Sequence, residues 1–271
     1  MKPHVSFRTS LFLSLFATAL LLPGCAAPYT GARSASGDPA LVDPGTNSAV
    51  RPEPRPGNWM RRHEQFVEEA KRGGIDVLFL GDSITDFWRD TNPRRGGRAV
   101  WDREFAPLHA ANFGISGDRT QNLLWRLQHG EVDGIHPKVV VLMIGTNNTG
   151  LEHDGTTPRN TPEEATEGVK AVVRELRARL PGSRILLLGI FPRGATAADP
   201  QRAQIAYINR HIAKLADGKH IRYLDIGAKF LKPDGRLTPD IMADRLHPTE
   251  KGYEIWAAAM KPTLLQMLNV R

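Results

Sequence analysis

Five short apolar runs recur along the chain, at 75–80, 111–113, 139–144, 185–190 and 221–226. Three of them are dense in Val, Ile and Leu without polar alternation, the pattern of strands covered on both faces and therefore parallel. Between and around them lie segments with helical spacing, at 59–71, 119–129, 162–180, 200–216 and 249–268. The second carries Leu123, Leu124 and Leu127, and Asp118 followed by Gln121 predicts a capping box at its start. The third opens on Thr161, Pro162 and Glu164 and stops at Pro181-Gly182, strong start and stop signals. Strand and helix in alternation predict an α/β sandwich on a parallel sheet, with ligand sites at the carboxyl ends of the strands.

The N-terminal pattern differs. Lys2 and Arg8 precede an apolar run, 11–22, that is too short to span a bilayer, which takes about 20 residues. A positive start, a short apolar core and small residues after it predict a secretory signal over 1–24. The run ends Leu22-Pro23-Gly24-Cys25-Ala26, which resembles a bacterial lipobox, and Cys25 is the only cysteine. The expectation is an exported, extracytoplasmic protein held to a membrane by a lipid on Cys25, without spanning it. The stretch that follows is rich in Pro and Gly and has no apolar period, so 25–58 reads as a flexible tether and the globular domain as 59–271.

Composition narrows the function classes. The 271 residues are 41% hydrophobic and 24% charged, ordinary for a globular chain, and one cysteine excludes an internal disulfide framework. The net charge of +7 comes from 36 basic and 29 acidic residues that are interspersed, so no basic stripe for nucleic acid is present.

The candidate chemistry sits at predicted strand ends. The first strand runs into Gly81-Asp82-Ser83-Ile84, where a serine hydroxyl can project into a crevice at the start of the next segment. The second ends Asn112-Phe113-Gly114-Ile115-Ser116-Gly117-Asp118, whose glycines leave N–H groups suited to an oxyanion. The third ends Gly145-Thr146-Asn147-Asn148, with a side-chain amide able to donate to developing negative charge. Late in the chain, Asp244-Arg245-Leu246-His247 spaces a carboxylate and an imidazole three apart, so the one can orient the other. Taken alone, each of the first three motifs reads as an ordinary turn, and one aspartate near one of nine histidines is expected by chance. Together the motifs supply a nucleophile, a base with its orienting acid, and anion donors, the parts that acyl transfer requires.

These four ordered blocks resemble the SGNH (GDSL-type) hydrolases over about residues 59–268. Within that family, Pro107-Leu108-His109-Ala110, Leu124-Trp125-Arg126-Leu127, Gly145-Thr146-Asn147-Asn148 and Pro192-Arg193-Gly194 resemble the catalytic subunits of the platelet-activating-factor acetylhydrolases. The resemblance implies a flavodoxin-like three-layer α/β/α sandwich around a mainly parallel five-stranded sheet. It implies a serine esterase with Ser83 as nucleophile, His247 as base and Asp244 orienting it. The oxyanion hole would be the N–H groups of Ser83 and Gly114 with the Asn147 amide. A small acyl pocket of Ile84, Thr146 and Leu246 favours acetyl, and neither cofactor nor metal is called for. The substrate is an ester of a glycan, a lipid or another small alcohol; homodimers occur in the resembling group. A lysophospholipase or thioesterase of longer chains is the rival enzyme reading. A non-catalytic carbohydrate-binding module on the same fold is the rival from another class. Trp88 and Trp101 are expected in the core, and Arg94, Arg95 and Arg98 in a solvated loop.

Overall fold

The computed structural model describes residues 45–269. The proposed signal segment, Cys25 and the first part of the proposed tether lie outside the described residues. Five parallel strands form one sheet: β1 (Val77–Gly81), β2 (Ala110–Gly114), β3 (Val139–Met143), β4 (Arg184–Leu188) and β5 (Ile221–Leu224), in the order β2-β1-β3-β4-β5. The helices are α1 (Asn58–Arg72), α2 (Ser83–Asp86), α3 (Arg98–Glu104), α4 (Thr120–Gln128), α5 (Pro162–Arg179), α6 (Pro200–Ile212) and α7 (Glu250–Asn269).

Alternate strand residues point to opposite faces, and this period of two divides the core. Leu78, Leu80, Phe113, Val140, Leu142, Ile185 and Leu187 pack under α1, α4, α5 and α6. Val77, Phe79, Val139, Val141, Met143, Leu186 and Leu188 pack under α2, α3 and α7, joined there by Trp88 and Trp101. The expected three-layer sandwich is therefore the observed one. The chain leaves β1 toward β2 on one side and leaves β3 toward β4 on the other. That reversal makes the β1/β3 boundary the switch point, outside whose carboxyl ends a crevice opens.

Three expectations need correction. The folded part begins upstream of residue 59. Ala49 is fully buried, Asn47 Nδ2 donates to Glu164 O at 3.2 Å, and Glu53 N–H donates to Gln121 O at 3.1 Å. The Pro-rich stretch docks through hydrogen bonds rather than through an apolar face, so periodicity could not reveal it. Next, Asp118 does not cap α4. Its carboxylate is buried among Arg126, Trp59 and Arg55, and Asn122 Oδ1 instead accepts the Arg119 N–H at 3.0 Å. Finally, Arg98 opens α3 rather than lying in a loop, and pairs with Asp102 four residues on. At α5 the expected start is present and takes the form of a capping box: Thr161 Oγ1 accepts the Glu164 N–H and Glu164 Oε2 accepts the Thr161 N–H.

Candidate active site

Ser83 is the first residue of α2, directly beyond β1. A helix leaves its first N–H groups without intrahelical partners, so the Ser83 N–H points out of the helix start. Asp82 caps this short helix, its Oδ1 accepting the Ile84 N–H at 3.0 Å. The Ser83 hydroxyl lies 2.8 Å from His247 Nε2, and His247 Nδ1 lies 2.6 Å from Asp244 Oδ2. With Nδ1–H donated to the carboxylate, Nε2 carries the lone pair and accepts the Ser83 hydroxyl. Asp244 Oδ1 also accepts the Leu246 and His247 N–H groups at 3.0 and 2.8 Å, which sets the turn that presents the imidazole. Burial acts to raise the Asp244 carboxyl, but the bonds from the His247 N–H and imidazole outweigh it and hold it below its ordinary range. The Phe87 ring packs 4.9 Å from the imidazole. Residues 164 positions apart are thus joined in one hydrogen-bonded chain.

The expected anion donors fare differently. Asn147 follows β3 and donates Nδ2–H to Asp118 O at 3.0 Å, leaving its second amide hydrogen for a ligand. Gly114 is not available: its N–H donates to Asn112 Oδ1 at 2.9 Å. Packing explains this glycine, because an added Cβ would stand 2.4 Å from Asp86 N and 2.8 Å from Thr85 C, in the backbone of α2. Gly117, three residues on, differs. It has φ +82°, it lines the same cavity as Asn147, and none of the described hydrogen bonds uses its N–H. The cavity, about 400 Å³, is walled by polar groups, among them Arg55, Arg119, His153 and Arg159. His153 and Arg159 belong to the polar loop after Asn147.

Sequence reasoning missed the residues that hold these pieces together. Asp86, at the end of α2, accepts the Ser116 N–H at 3.1 Å and the Ser116 hydroxyl at 2.6 Å, tying the helix that Ser83 opens to the 114–117 turn. Asn112 Nδ2 donates to Thr85 O at 2.9 Å across the same seam. Beneath them the fully buried Arg126 donates to Asp118 Oδ2 and Phe113 O, both at 2.9 Å, to Gly81 O at 3.5 Å and to Glu131. Its signal was legible, a charge on the apolar face of α4 among Leu123, Leu124 and Leu127. Asn148 shows why an amide rather than a carboxylate stands there. Its Oδ1 accepts the Thr120 N–H at 3.0 Å, while its Nδ2 faces Gln121 Oε1 and Asn160 Oδ1, each at 3.0 Å, and a carboxylate cannot donate.

Burial pushes the Asp82 carboxyl up to about 7, with the Ile84 N–H opposing and the Asp118 charge assisting. Its folded value lies above its unfolded one, so the folded state binds the proton more tightly. The stabilising contribution is complete below the ordinary aspartate range and is lost as pH rises toward 7. Within that window one such group changes unfolding free energy by about 1.4 kcal/mol per pH unit. Urea unfolding of Asp82→Asn between pH 4 and 7 is expected to show a shallower fall in stability than the wild type; an unchanged slope would remove Asp82 as its source.

Residues 79–255 match the GDSL-like lipase/acylhydrolase family. The platelet-activating factor acetylhydrolase IB subunit alpha1 of Bos taurus is 36% identical over 214 residues, 79% of this chain and 85% of that protein. The alpha2 subunit of Rattus norvegicus is 37% identical over 215 residues, 78% and 85%. Among solved structures, an acetylxylan esterase of Geobacillus stearothermophilus superposes with a TM-score of 0.56 at 24% identity, covering 73% of this chain and 96% of that one. A GDSL-like lipase of Bacteroides thetaiotaomicron gives 0.56 at 19%, covering 75% and 97%. The two structures speak for the fold alone. With the family match and the curated relatives beside the four blocks at the sheet edge, the chain belongs to the GDSL-like lipase/acylhydrolase family.

Proposed function

We propose that this acylhydrolase is a serine esterase that removes short acyl groups, acetyl foremost, through an acyl-Ser83 intermediate. The observation that carries the reading is the Ser83–His247–Asp244 chain, with steps of 2.8 and 2.6 Å. His247 Nε2 takes the hydroxyl proton as Ser83 Oγ attacks the ester carbonyl, and Asp244 stabilises the imidazolium that forms. The negative charge that develops on the carbonyl oxygen falls to the N–H groups of Ser83 and Gly117 and to the Asn147 amide. His247 then gives the proton to the departing alcohol. Water, deprotonated by the same nitrogen, releases the acid from Ser83.

The acyl side is argued from the neighbours of the nucleophile and the base. Ile84 and Leu246 join one apolar cluster, Ile84 fully buried and Leu246 half-buried, and Thr146 is buried beside Asn147. On this reading the branched side chains of Ile84 and Leu246, adjoining Ser83 and His247 in sequence, bound the acyl group and leave room for little beyond acetyl. Relatives named as acetylhydrolases agree with a short acyl group.

Initial rates on p-nitrophenyl acetate, butyrate, octanoate and palmitate test the reading. The expected order has acetate fastest, and Leu246→Ala is expected to move the preference toward butyrate and octanoate by about tenfold in relative kcat/KM, roughly the worth of a few methylenes. Palmitate as the best wild-type substrate would favour the long-chain reading. No turnover of any ester by folded protein, with glycan binding retained, would favour the binding module.

A further inference from the structure

Residues 47–55 form a strap that crosses the edge of the site. Asn47 ends it at Glu164 O, and Ala49 is buried where an added Cβ on Gly168 would meet it at 3.0 Å. Thr120 Oγ1 donates to Ala49 O at 2.7 Å, and Asn160 Nδ2 donates to Ser48 Oγ at 2.9 Å. Glu53 pairs with α4 in both directions, its N–H to Gln121 O and its carbonyl accepting Asn122 Nδ2 at 2.9 Å. The strap then delivers Arg55. Its Nη1 donates to Ser116 O at 2.9 Å and to Asp118 Oδ1 at 3.2 Å. Between these two acceptors lies Gly117, and an added Cβ there would stand 3.0 Å from Arg55 Nη2. Asp118 in turn holds Asn147 through its main-chain oxygen.

We propose that Arg55 is a positioning residue for the oxyanion hole, and that the strap is thereby a working part of the site rather than a tether. This role rests on the esterase reading above and follows from where the restraint falls. Glycine at φ +82° is the most deformable link in the 114–118 turn. One guanidinium grips the residue on each side of it. That grip fixes the direction of the Gly117 N–H and, through Asp118, the seat of the Asn147 amide. The Arg55 side chain is 38% exposed, and without it the buried Asp118 keeps Arg126 and Trp59, so the loss in global stability is expected to be modest. Its removal should register in the chemistry first, because a misplacement of about 1 Å can cost 10²-fold in rate.

The test uses the full chain with p-nitrophenyl acetate. Arg55→Ala is expected to lower kcat by about 10- to 100-fold with KM within about twofold, and the thermal midpoint is expected to shift by only a few degrees. Added guanidinium ion should restore part of the lost kcat. Arg55→Lys, which keeps the charge on a shorter side chain and lacks the planar guanidinium, should fall between. Arg51→Ala removes an exposed cation from the same strap and should match the wild type. A kcat within about twofold of wild type in Arg55→Ala, a loss confined to KM, or an equal loss in Arg51→Ala would overturn the proposal. Amide exchange separates this outcome from failure of the esterase reading. Should the wild type hydrolyse no ester, that reading falls; faster exchange at Gly117 and Asp118 in Arg55→Ala would still support the clamp, and unchanged exchange would refute it.

Discussion

Ser83→Ala is expected to lower kcat on p-nitrophenyl acetate by about 10⁴-fold or more while the protein remains folded. The side chain makes one described hydrogen bond, to His247 Nε2, so its removal leaves core and sheet intact. His247→Ala should cost a similar factor, because an unactivated serine is a weak nucleophile at neutral pH. The double variant should be hardly worse than either single one, since the two side chains act as a unit and their losses do not add. Residual catalysis then reports the anion donors alone. Additive losses in the double variant would mean that the 2.8 Å contact is not the working one. Steady-state rates of the four proteins, with circular dichroism to confirm folding, decide it.

The second large effect concerns stability. Arg126→Met is expected to destabilise the fold by about 3–5 kcal/mol, a large part of the 5–15 kcal/mol typical of a domain. The side chains of Arg126, Asp118 and Glu131 are completely buried, and the guanidinium bonds to both carboxylates. Methionine fills similar volume but leaves two buried carboxylates facing each other without their shared cation. Glu131 keeps only His63, at 3.2 Å, and Asp118 keeps Trp59 and the half-exposed Arg55. Burial already lifts the Asp118 carboxyl to about 6 against the opposing pull of Arg126. Loss of the arginine should lift it further, so the variant should recover stability as pH falls toward 5. Urea unfolding at pH 7 and pH 5 checks both statements. Combining Arg126→Met with Asp118→Asn and Glu131→Gln should return part of the loss, because neutral amides need no counter-charge. A single-variant loss below about 1 kcal/mol would show that the network does not need its centre.

The same residues show what a sequence reveals and what it hides. All five strands were legible, three of them because strands covered on both faces are apolar without interruption, as at Val139–Met143. Long helices were legible from period and caps, with Thr161 and Glu164 paired as expected. α2 was invisible as a helix: four residues are barely one turn and carry no period, although its first residue is Ser83. Ser83, Asp244 and His247 were legible as motifs, but the meeting of Ser83 with His247 depends on how the β1 and α7 ends of the fold come together. The choice between Gly114 and Gly117 was not legible. Both sit in one glycine-rich turn, and only the Asn112 side chain and the backbone of α2 distinguish a packing glycine from an available N–H. The strap was hidden for a further reason. Its prolines and polar residues match a flexible linker, while its anchoring is done by single hydrogen bonds from Asn47, Glu53 and Arg55, which leave no mark on hydropathy.

The central claim is that the acyl group passes through Ser83. Full-chain enzyme mixed with p-nitrophenyl acetate, quenched in acid before steady state, digested and weighed by mass spectrometry tests it most directly. An initial burst of p-nitrophenol and one acetyl group on Ser83, absent from Ser83→Ala, are the expected result. Turnover without any acetyl on Ser83, or the same turnover by Ser83→Ala, would contradict it.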